Sequence, residues 1–242
     1  MMEHRSRATL GGGNYGWLKA LHHFAIGAHG NPAHKPIGNL YVWNDDEIAP
    51  GSGFPLHAHA NVEIITYVRA GIVSHRDNLG NSGQTRAGDV QVMSAGTGVR
   101  HEEANAHTVP TKLFQIWIDP RERGGTPTWA TRPFPKIDRA ERFAVLASGF
   151  PEATDALTIR ADARVLGATL RRGKTITHSL TTLTKAYLVP SQGRVVVNGT
   201  EIEARDGMAF SAEPVIEITA LEDAELVLVE TASPDFPDTA VR

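Results

Sequence analysis

The chain has 242 residues, 41 % of them hydrophobic and 21 % charged, which is enough apolar material for one large or two small globular domains and excludes a wholly disordered chain. Its 24 basic and 27 acidic residues give a formal charge of −3, so no basic surplus supports binding to nucleic acid or to a membrane surface. The absence of cysteine excludes disulfides, zinc–thiolate sites and thiol nucleophiles. Because no apolar run is long enough to span a bilayer and residues 1–10 contain no apolar stretch, we expect a cytoplasmic protein without a signal peptide or anchor.

Short runs of β-branched and aromatic residues, separated by turn clusters, dominate the first half of the chain. They predict strands over residues 17–26, 39–43, 62–69, 90–94 and 113–118. A cluster of Asn, Ser and Gly over 78–83 predicts a turn, and no helical period of apolar residues is sustained before residue 130. We therefore expect helices to be few and short.

The composition changes near the middle of the chain. Four prolines and the pair Gly124-Gly125 fall between residues 119 and 136, which is typical of a linker between domains. A short helix is expected around residues 138–143. The strand pattern then resumes, over residues 143–146, 165–170, 185–189, 194–197, 215–218 and 225–230.

Two stretches, one in each half, resemble each other weakly. Gly71 and Gly193 each precede a strand, a turn and a second strand, which is followed by Gly88-Asp89 in the first copy and by Asp206-Gly207 in the second. In the second copy the turn is Asn198-Gly199 between alternating apolar residues, which is the strongest short hairpin signal. This pattern predicts two copies of one β-rich unit, each of the jelly-roll kind.

Histidine, the commonest metal ligand and a proton carrier near neutral pH, is distributed unevenly. Ten of the eleven histidines precede residue 108, so we expect any metal or acid–base chemistry in the first half. Five of these are interpreted as surface or loop residues: His4, His22, His23, His29 and His34. The isolated His178 of the second half is interpreted as a structural or solvated residue.

Two pairs of candidate metal ligands stand out. His57 and His59 are two residues apart, so in a strand they point to one face while Ala58 faces away. His101 and Glu103 repeat this geometry. Two adjacent antiparallel strands with these pairs would present three imidazoles and one carboxylate. That mixture suits iron, manganese, nickel, copper or zinc as a divalent ion, with coordination positions left open for catalysis.

The residues around these pairs carry a family resemblance. Two groups match the spacing of the two signature motifs of the cupin superfamily: Gly51, His57, His59 and Glu63, then Gly98, His101 and Asn105. Within that superfamily the chain resembles the pirin family over residues 10–120. The matching segments are FPLHAH (54–59), EIITYV (63–68), SHRD (74–77), GDVQ (88–91), AGTGVRHEE (95–103) and FQIW (114–117).

The pirin resemblance implies an all-β bicupin with two jelly-roll β-barrel domains. It implies an N-terminal metal-binding cupin over 1–120, a linker over 121–140 and a C-terminal, degenerate, metal-free cupin over 141–242. The second half agrees, because it offers only His178 opposite the motifs. Ala60-Asn61-Val62 replaces the aromatic residue that commonly follows the histidine pair, so the pocket mouth is expected to differ in shape.

The resemblance also implies a site and a reaction. His57, His59, His101 and Glu103 would hold one divalent ion per chain, for which we expect Fe(II), with Mn, Ni, Cu or Zn as alternatives. The reaction would be cleavage of flavonols such as quercetin by dioxygen with loss of carbon monoxide, so a small aromatic substrate and O2 are the expected partners. Glu103 would serve either as the base that takes the 3-hydroxyl proton or as a ligand only.

Other residues near the motifs are assigned plainer roles. Glu63 is interpreted as structural or supporting, and Glu102 and His107 as bystanders. His75 is expected to lie at a turn and to order that loop. Three apolar residues could line an aromatic pocket but are interpreted first as core residues: Met93, Phe114 and Trp117.

Three classes of function would use the same ligands. The first, which we favour, is a quercetinase-type dioxygenase. The second is a pirin-like metal-binding regulator without turnover, and the third is another cupin reaction on an unknown small molecule. The near-neutral charge shows no sign of a charged docking face, which favours the enzyme.

Overall fold

The computed structural model describes residues 1–27, 29–181 and 183–232. Within these ranges the chain forms 22 β-strands and two short 3-10 helices, Arg7–Thr9 and Lys136–Arg139, but no α-helix. The prediction of an all-β protein is therefore confirmed. Among the described residues, no helix has the length and apolar character needed to cross a membrane.

The strands divide into two series, one in each half of the chain. The first series is β1 (Met2–Arg5), β2 (Gly11–Asn14), β3 (Leu18–His22), β4 (Leu40–Ile48), β5 (Ser52–His59), β6 (Glu63–Ala70), β7 (Ile72–Asp77), β8 (Ser82–Arg86), β9 (Val90–Ser94), β10 (Val99–Asn105), β11 (Thr111–Ile118) and β12 (Thr128–Arg132). The second series is β13 (Ala144–Ser148), β14 (Leu157–Thr158), β15 (Ala163–Leu170), β16 (Thr175–Ser179), β17 (Thr184–Gln192), β18 (Val195–Val197), β19 (Thr200–Ile202), β20 (Gly207–Ser211), β21 (Val215–Ala220) and β22 (Ala224–Ala232).

Each half builds a barrel from one large and one small sheet. In the first half a seven-stranded sheet, β12-β9-β6-β11-β4-β3-β2, faces a four-stranded sheet, β5-β10-β7-β8. In the second barrel the seven-stranded sheet is β1-β20-β17-β22-β15-β13-β14, with β1 contributed by the N-terminal segment, and the four-stranded sheet is β16-β21-β18-β19. This arrangement confirms the expected bicupin of two jelly rolls.

Local signals account for part of this topology. Asn198 and Gly199 join β18 to β19 with φ values of 45° and 83°, which are the positive angles that a tight hairpin turn requires. The strand predicted over 17–26 ends at His22, and a 3-10 helix at Lys136–Arg139 overlaps the start of the short helix expected around 138–143. Residues 74–77 were expected at a turn but belong to β7, because β10 and β8 pair with them on both sides.

The two halves share one apolar core. The seven-stranded sheets pack face to face, and their inward residues form a continuous cluster that includes Trp43, Ile65, Phe114 and Ile116 from the first half and Val165, Tyr187, Val227 and Val229 from the second. All of these side chains are essentially inaccessible to solvent. Burial of this apolar surface is the main force that joins the barrels.

The interiors of the two barrels differ in chemistry. The second barrel is filled by a single apolar cluster that includes Leu166, Ile176, Leu188, Phe210 and Ile218. The first barrel contains two smaller apolar clusters, one around Leu113 and one around Met93, with polar side chains between them. Among the described residues, the first barrel therefore has the more polar interior.

The N-terminal segment and the middle segment both contribute strands. β1 pairs with β20 of the second barrel, and β12, inside the stretch whose composition suggested a linker, pairs with β9 of the first. Of the early histidines expected at the surface or in loops, His23 and His34 lie outside the strands, but they are buried, at 0 % and 7 % exposure. His23 is buried because the interface encloses it, with its Nδ1 2.9 Å from the hydroxyl of Tyr187.

A buried ionic network crosses the interface between the barrels. Glu225 of β22 accepts hydrogen bonds from Arg139 at 2.9 Å, from Lys136 at 2.6 Å and from the hydroxyl of Tyr67 on β6. The guanidinium of Arg139 also lies 5.5 Å from the centre of the Tyr67 ring. Glu225 and Arg139 are almost completely buried, so each depends on the other for charge compensation.

Glu225→Gln is expected to lower the free energy of unfolding by about 3–5 kcal/mol, because it leaves the buried Arg139 without a counter-charge. The control is Glu222→Gln, which breaks the exposed ion pair with Arg194 and should cost only about 0–1 kcal/mol. Chemical denaturation of both variants measures the difference. Equal losses in the two variants would contradict the role given to this network.

Candidate metal centre

Strands β5 and β10 bring the candidate ligands together. Their antiparallel register places His57 opposite His101 and Ala58 opposite Arg100. Because side chains alternate along a strand, His57, His59 and His101 face the interior of the first barrel, while Ala58 and Arg100 face away. The alternation predicted for both pairs is therefore present in the structure.

The register shifts between His101 and Glu103, because Glu103 lies opposite Phe54. Strand β5 thus carries one extra residue between Phe54 and His57, and Pro55 lies in this irregular segment. Proline fits such a position because it has no backbone N–H to contribute to the ladder. The carbonyl of Pro55 lies 2.7 Å from Nδ1 of His57, which orients that ring and leaves its Nε2 free.

The three imidazoles converge on one point. Their candidate ligand nitrogens all lie within 4.8 Å of one another, and the ring centres are 4.5 Å apart for His57 and His101 and 5.1 Å apart for His59 and His101. Nε2 of His101 is buried and has no hydrogen-bond partner. Buried polar atoms are normally satisfied, so an orphaned nitrogen among converging imidazoles fits a divalent cation. The triad could hold a metal ion.

The electrostatics of His59 and His101 favour neutral rings. Burial, followed by the neighbouring His57, lowers the pKa of His59 to about 4. Burial, followed by the neighbouring His57 and His59, lowers the pKa of His101 to about 3. Both rings are therefore neutral at physiological pH, which is the state in which imidazole binds metals.

Glu103 lies on the same inner face of β10 and is 1 % exposed. Its Oε1 accepts a hydrogen bond from Gln91 at 2.5 Å and its Oε2 accepts one from Gln115 at 2.6 Å, with Thr66 3.4 Å away. Burial raises the pKa of Glu103 to about 7, against the opposing effect of these three donors. Its carboxylate is not part of the cluster within 4.8 Å, so its role as a fourth ligand stays a prediction.

The residues that hold Glu103 were not singled out from the sequence. Gln91 is oriented by Thr85, whose hydroxyl donates to it at 3.0 Å, and Gln115 is oriented by the indole of Trp117 at 3.2 Å. Both amides interrupt apolar strands, VQVMS and LFQIW. A buried amide in such a run needs hydrogen-bond partners inside the protein, and this requirement is the sequence signal that could have singled out Gln91 and Gln115.

His75 was expected to order a surface turn, and the structure shows a different position. It is a fully buried residue of β7, and its Nδ1 lies 3.4 Å from Nδ1 of His101. Trp129 of β12 stacks on its other side, with ring centres 4.7 Å apart and an interplanar angle of 6°. The burial follows from the position of β7 beside β10, within the small sheet of the first barrel.

The other candidates have mainly structural surroundings. Glu63 accepts hydrogen bonds from Ser94 and from the backbone of Arg160, and Glu102 faces outward in an ion pair with Arg76. Phe114 lies in the core between the barrels, and Met93 lies in an apolar cluster that Trp117 contacts. The ring of Trp117 is 4.9 Å from that of His59. His107 lies beyond the end of β10, and His178 pairs with Glu230.

A surface groove of about 370 Å³ lies beside the site and is lined by His59, Ala60, Asn78 and Arg100, among others. Asn61 next to it has a φ of 54°, a conformation that Asn tolerates better than most residues, and its Oδ1 accepts a hydrogen bond from Gly124 at 2.7 Å. Two larger clefts of about 540 and 590 Å³ adjoin the 3-10 helix at Lys136–Arg139 and contain no histidine.

A second buried carboxyl lies near Glu103 inside the first barrel. Asp46 of β4 is 1 % exposed, and neither of its carboxyl oxygens has a hydrogen-bond partner. Burial, followed by the charges of Asp45 and Glu103, raises the pKa of Asp46 to about 8, although Arg69 acts in the opposite direction. Asp46 is therefore protonated in the folded protein at neutral pH.

Comparison with known proteins identifies the family. A family model described as Pirin matches residues 3–118, and a second, described as Quercetinase C-terminal cupin domain, matches residues 145–231. A Pirin-like protein of Caulobacter vibrioides is 56 % identical over 232 residues, which cover 96 % of this chain and 100 % of the relative. The chain belongs to the pirin family.

Two further pirin-like relatives bear on the site. The quercetin 2,3-dioxygenase of Escherichia coli is 36 % identical over 228 residues, which cover 93 % of this chain and 96 % of the relative. The crystal structure of the bacterial pirin YhhW from Escherichia coli in complex with nickel(II) matches with a TM-score of 0.89 at 34 % identity, over 96 % of this chain and 100 % of that chain. Nickel is therefore bound by a pirin of this fold.

The metal content of variants tests the triad of this pirin. His57→Ala, His59→Ala and His101→Ala are each expected to weaken Ni(II) binding by more than about tenfold, because loss of even an outer partner of a metal ligand typically costs about 10–100-fold. His178→Ala is the control and should bind Ni(II) like the wild type, since His178 pairs with Glu230 in the other barrel. Two metal equivalents in the wild type, or a loss of binding in the control, would contradict a single site.

The pH dependence of the metal-free pirin tests Asp46. A folded pKa of about 8, above the ordinary 3.8, means that the folded state binds the extra proton, so the free energy of unfolding should fall as pH rises from about 4 to about 8. Asp46→Asn should remove the share of this fall that belongs to Asp46, whereas the share of Glu103, whose pKa is raised to about 7, should remain. Glu47→Gln is the control, because the pKa of Glu47 is lowered by its hydrogen bond with Lys19. An unchanged fall in Asp46→Asn would refute this assignment.

Proposed function

We propose that this protein is a metal-dependent dioxygenase that cleaves flavonols such as quercetin. One divalent ion would be held in the first barrel by His57, His59, His101 and Glu103. The observation that carries the proposal is the orphaned Nε2 of His101, which lies in a group of three imidazoles whose candidate ligand nitrogens are all within 4.8 Å of one another. The relative from Escherichia coli that is named quercetin 2,3-dioxygenase supports the same chemistry.

The donor set is compatible with several ions. Three imidazoles and one carboxylate suit first-row divalent metals, with Fe(II) as our first choice and Ni, Mn, Cu and Zn as alternatives. The nickel-bound relative supports nickel as one of these. Such an ion would supply Lewis acidity, which lowers the pKa of a coordinated hydroxyl group.

We infer that Glu103 takes the proton of the flavonol 3-hydroxyl. Amide donors from Gln91 of β9 and Gln115 of β11, the two strands that flank β6, hold its two oxygens, so the carboxylate has a fixed orientation. Its burial excludes bulk water, which would otherwise compete for the proton. We therefore assign Glu103 two roles, as the fourth ligand and as the general base.

The surroundings of the triad suit an aromatic substrate. Trp117 lies edge-on against His59, and an apolar cluster with Val62, Ile64 and Met93 lies on the same side. Aromatic and apolar side chains with a few polar groups are typical of sites that bind small planar molecules. The substrate is therefore assigned to the class of small hydroxylated aromatics, with O2 as the second reactant.

The second barrel is assigned a structural role as a degenerate cupin. Its interior is filled by apolar side chains, and within residues 141–181 and 183–232 His178 is engaged by Glu230 rather than facing other ligands. The expected domain division, 1–120, 121–140 and 141–242, is retained as a proposal. Residues 233–242 lie outside the described part of the chain.

Glu103→Gln tests the proposed reaction. The amide oxygen can still ligate weakly, so metal content should fall only in part, whereas loss of a general base typically lowers the rate by about 10²–10⁴-fold. Quercetin turnover is measured with the metal-loaded protein and corrected for metal occupancy. Glu102→Gln is the matched control, because Glu102 is adjacent in sequence but faces outward toward Arg76.

Three outcomes would separate the hypotheses. A corrected rate of Glu103→Gln equal to that of the wild type would make Glu103 a ligand only. No flavonol turnover by the fully metallated wild type would reject the dioxygenase and favour a metal-binding regulator. Turnover of a different small molecule at the same centre would indicate another cupin reaction.

A further inference from the structure

His75 and Asp77 form a polar row on the inner face of β7, beside the candidate ligands. The register between β7 and β10 places His75 opposite Glu103 and Asp77 opposite His101. Both side chains are almost completely buried, at 0 % and 1 % exposure. Neither residue has a role in the proposed reaction.

Hydrogen-bond contacts connect His101, His75 and Asp77 in series. Nδ1 of His101 lies 3.4 Å from Nδ1 of His75, and Nε2 of His75 lies 3.3 Å from Oδ2 of Asp77. A carboxylate can only accept hydrogen bonds, and a neutral imidazole has one donor and one acceptor. Nε2 of His75 must therefore donate to Asp77, which leaves Nδ1 of His75 as an acceptor. Nδ1 of His101 must then donate, and the free electron pair of His101 is on Nε2.

Asp77 is anchored as a hydrogen-bond acceptor, which fixes the direction of donation from His101 through His75 to Asp77. Its Oδ1 accepts hydrogen bonds from the backbone of Leu79 at 2.9 Å and of Asn81 at 3.0 Å. Its Oδ2 accepts a further bond from the side chain of Asn81 at 2.8 Å. All of these partners are donors, so Asp77 is held as an acceptor at the end of the row.

The ring of His75 is also fixed in its plane. Trp129 stacks on it in a nearly parallel orientation, with 4.7 Å between ring centres. Gly83 makes room for this indole, since a Cβ at that position would lie 2.5 Å from the Trp129 ring. The stacking partner comes from β12, so the middle segment of the chain contributes to the metal centre.

We propose that Asp77 and His75 form a hydrogen-bond relay that fixes the tautomer and orientation of His101, so that Nε2 faces the metal. Both are positioning residues, and the inference rests on the proposed metal centre. Outer partners of this kind orient metal-bound histidines in many proteins. His57 is oriented separately by the carbonyl of Pro55, so loss of the relay should affect one ligand of the three.

The protonation sites of the two rings test the relay directly. In the Zn(II)-loaded, ¹⁵N-histidine-labelled protein, NMR should show protons on Nδ1 of His101 and on Nε2 of His75. A proton on Nδ1 of His75 would overturn the relay. Failure of Zn(II) to bind through His101 would remove the relay together with the metal centre. Correct tautomers in a protein that does not turn over flavonols would reject the proposed function and leave the relay intact.

Variants test the same relay by affinity. Asp77→Asn places a donor next to His75 and should weaken Ni(II) binding by about 10–100-fold, as measured by competition with a chelator. Arg76→Gln is the matched control, because Arg76 lies between His75 and Asp77 on β7 but faces solvent in an ion pair with Glu102. Equal Ni(II) affinity of Asp77→Asn and the wild type would contradict the relay.

A second pair of variants covers the case in which Asp77→Asn does not fold. His75→Gln keeps an amide oxygen that can accept from His101, whereas His75→Leu keeps none. The relay predicts tighter Ni(II) binding by His75→Gln than by His75→Leu. The same affinity in both variants would show that His75 acts only by filling space.

Discussion

The pairing of β5 with β10 is the constraint on which the candidate centre depends. A slip of one residue would turn the inward side chains of either strand to the opposite face, so the three imidazoles converge only in the observed register. The irregular segment at Pro55 lets one strand carry an extra residue without losing this register. Because β10 also pairs with β7, the same alignment sets His75 and Asp77 behind the site. One strand thus connects the ligands to their support.

The two barrels divide structure and chemistry between them. The second barrel has an apolar interior and contributes one wall of the shared core. The first contains buried carboxyls, Glu103 and Asp46, whose raised pKa values indicate a cost of burial. The ionic network around Glu225 and Arg139 lies in the same interface and ties the segment before β13 to β6 and β22.

Alternation along strands was sufficient to predict the all-β class and the inward direction of the candidate ligands, because it depends only on neighbours in the chain. Contacts across the fold could not be predicted in this way. Gln91, Gln115 and Trp129 reach the site from strands of the large sheet, and His23 is buried by Tyr187, which lies 164 positions later. A buried amide or imidazole in an apolar run signals a partner without identifying it.

Isotope labelling of the product tests the central claim that the first barrel activates a flavonol toward dioxygen. The metal-loaded protein is supplied with quercetin under ¹⁸O2, and the cleaved product is analysed by mass spectrometry. A dioxygenase should place both atoms of one ¹⁸O2 molecule in the product, with carbon monoxide released, and His101→Ala should form none. Product that carries oxygen from water, or no product that depends on the metal, would contradict the claim.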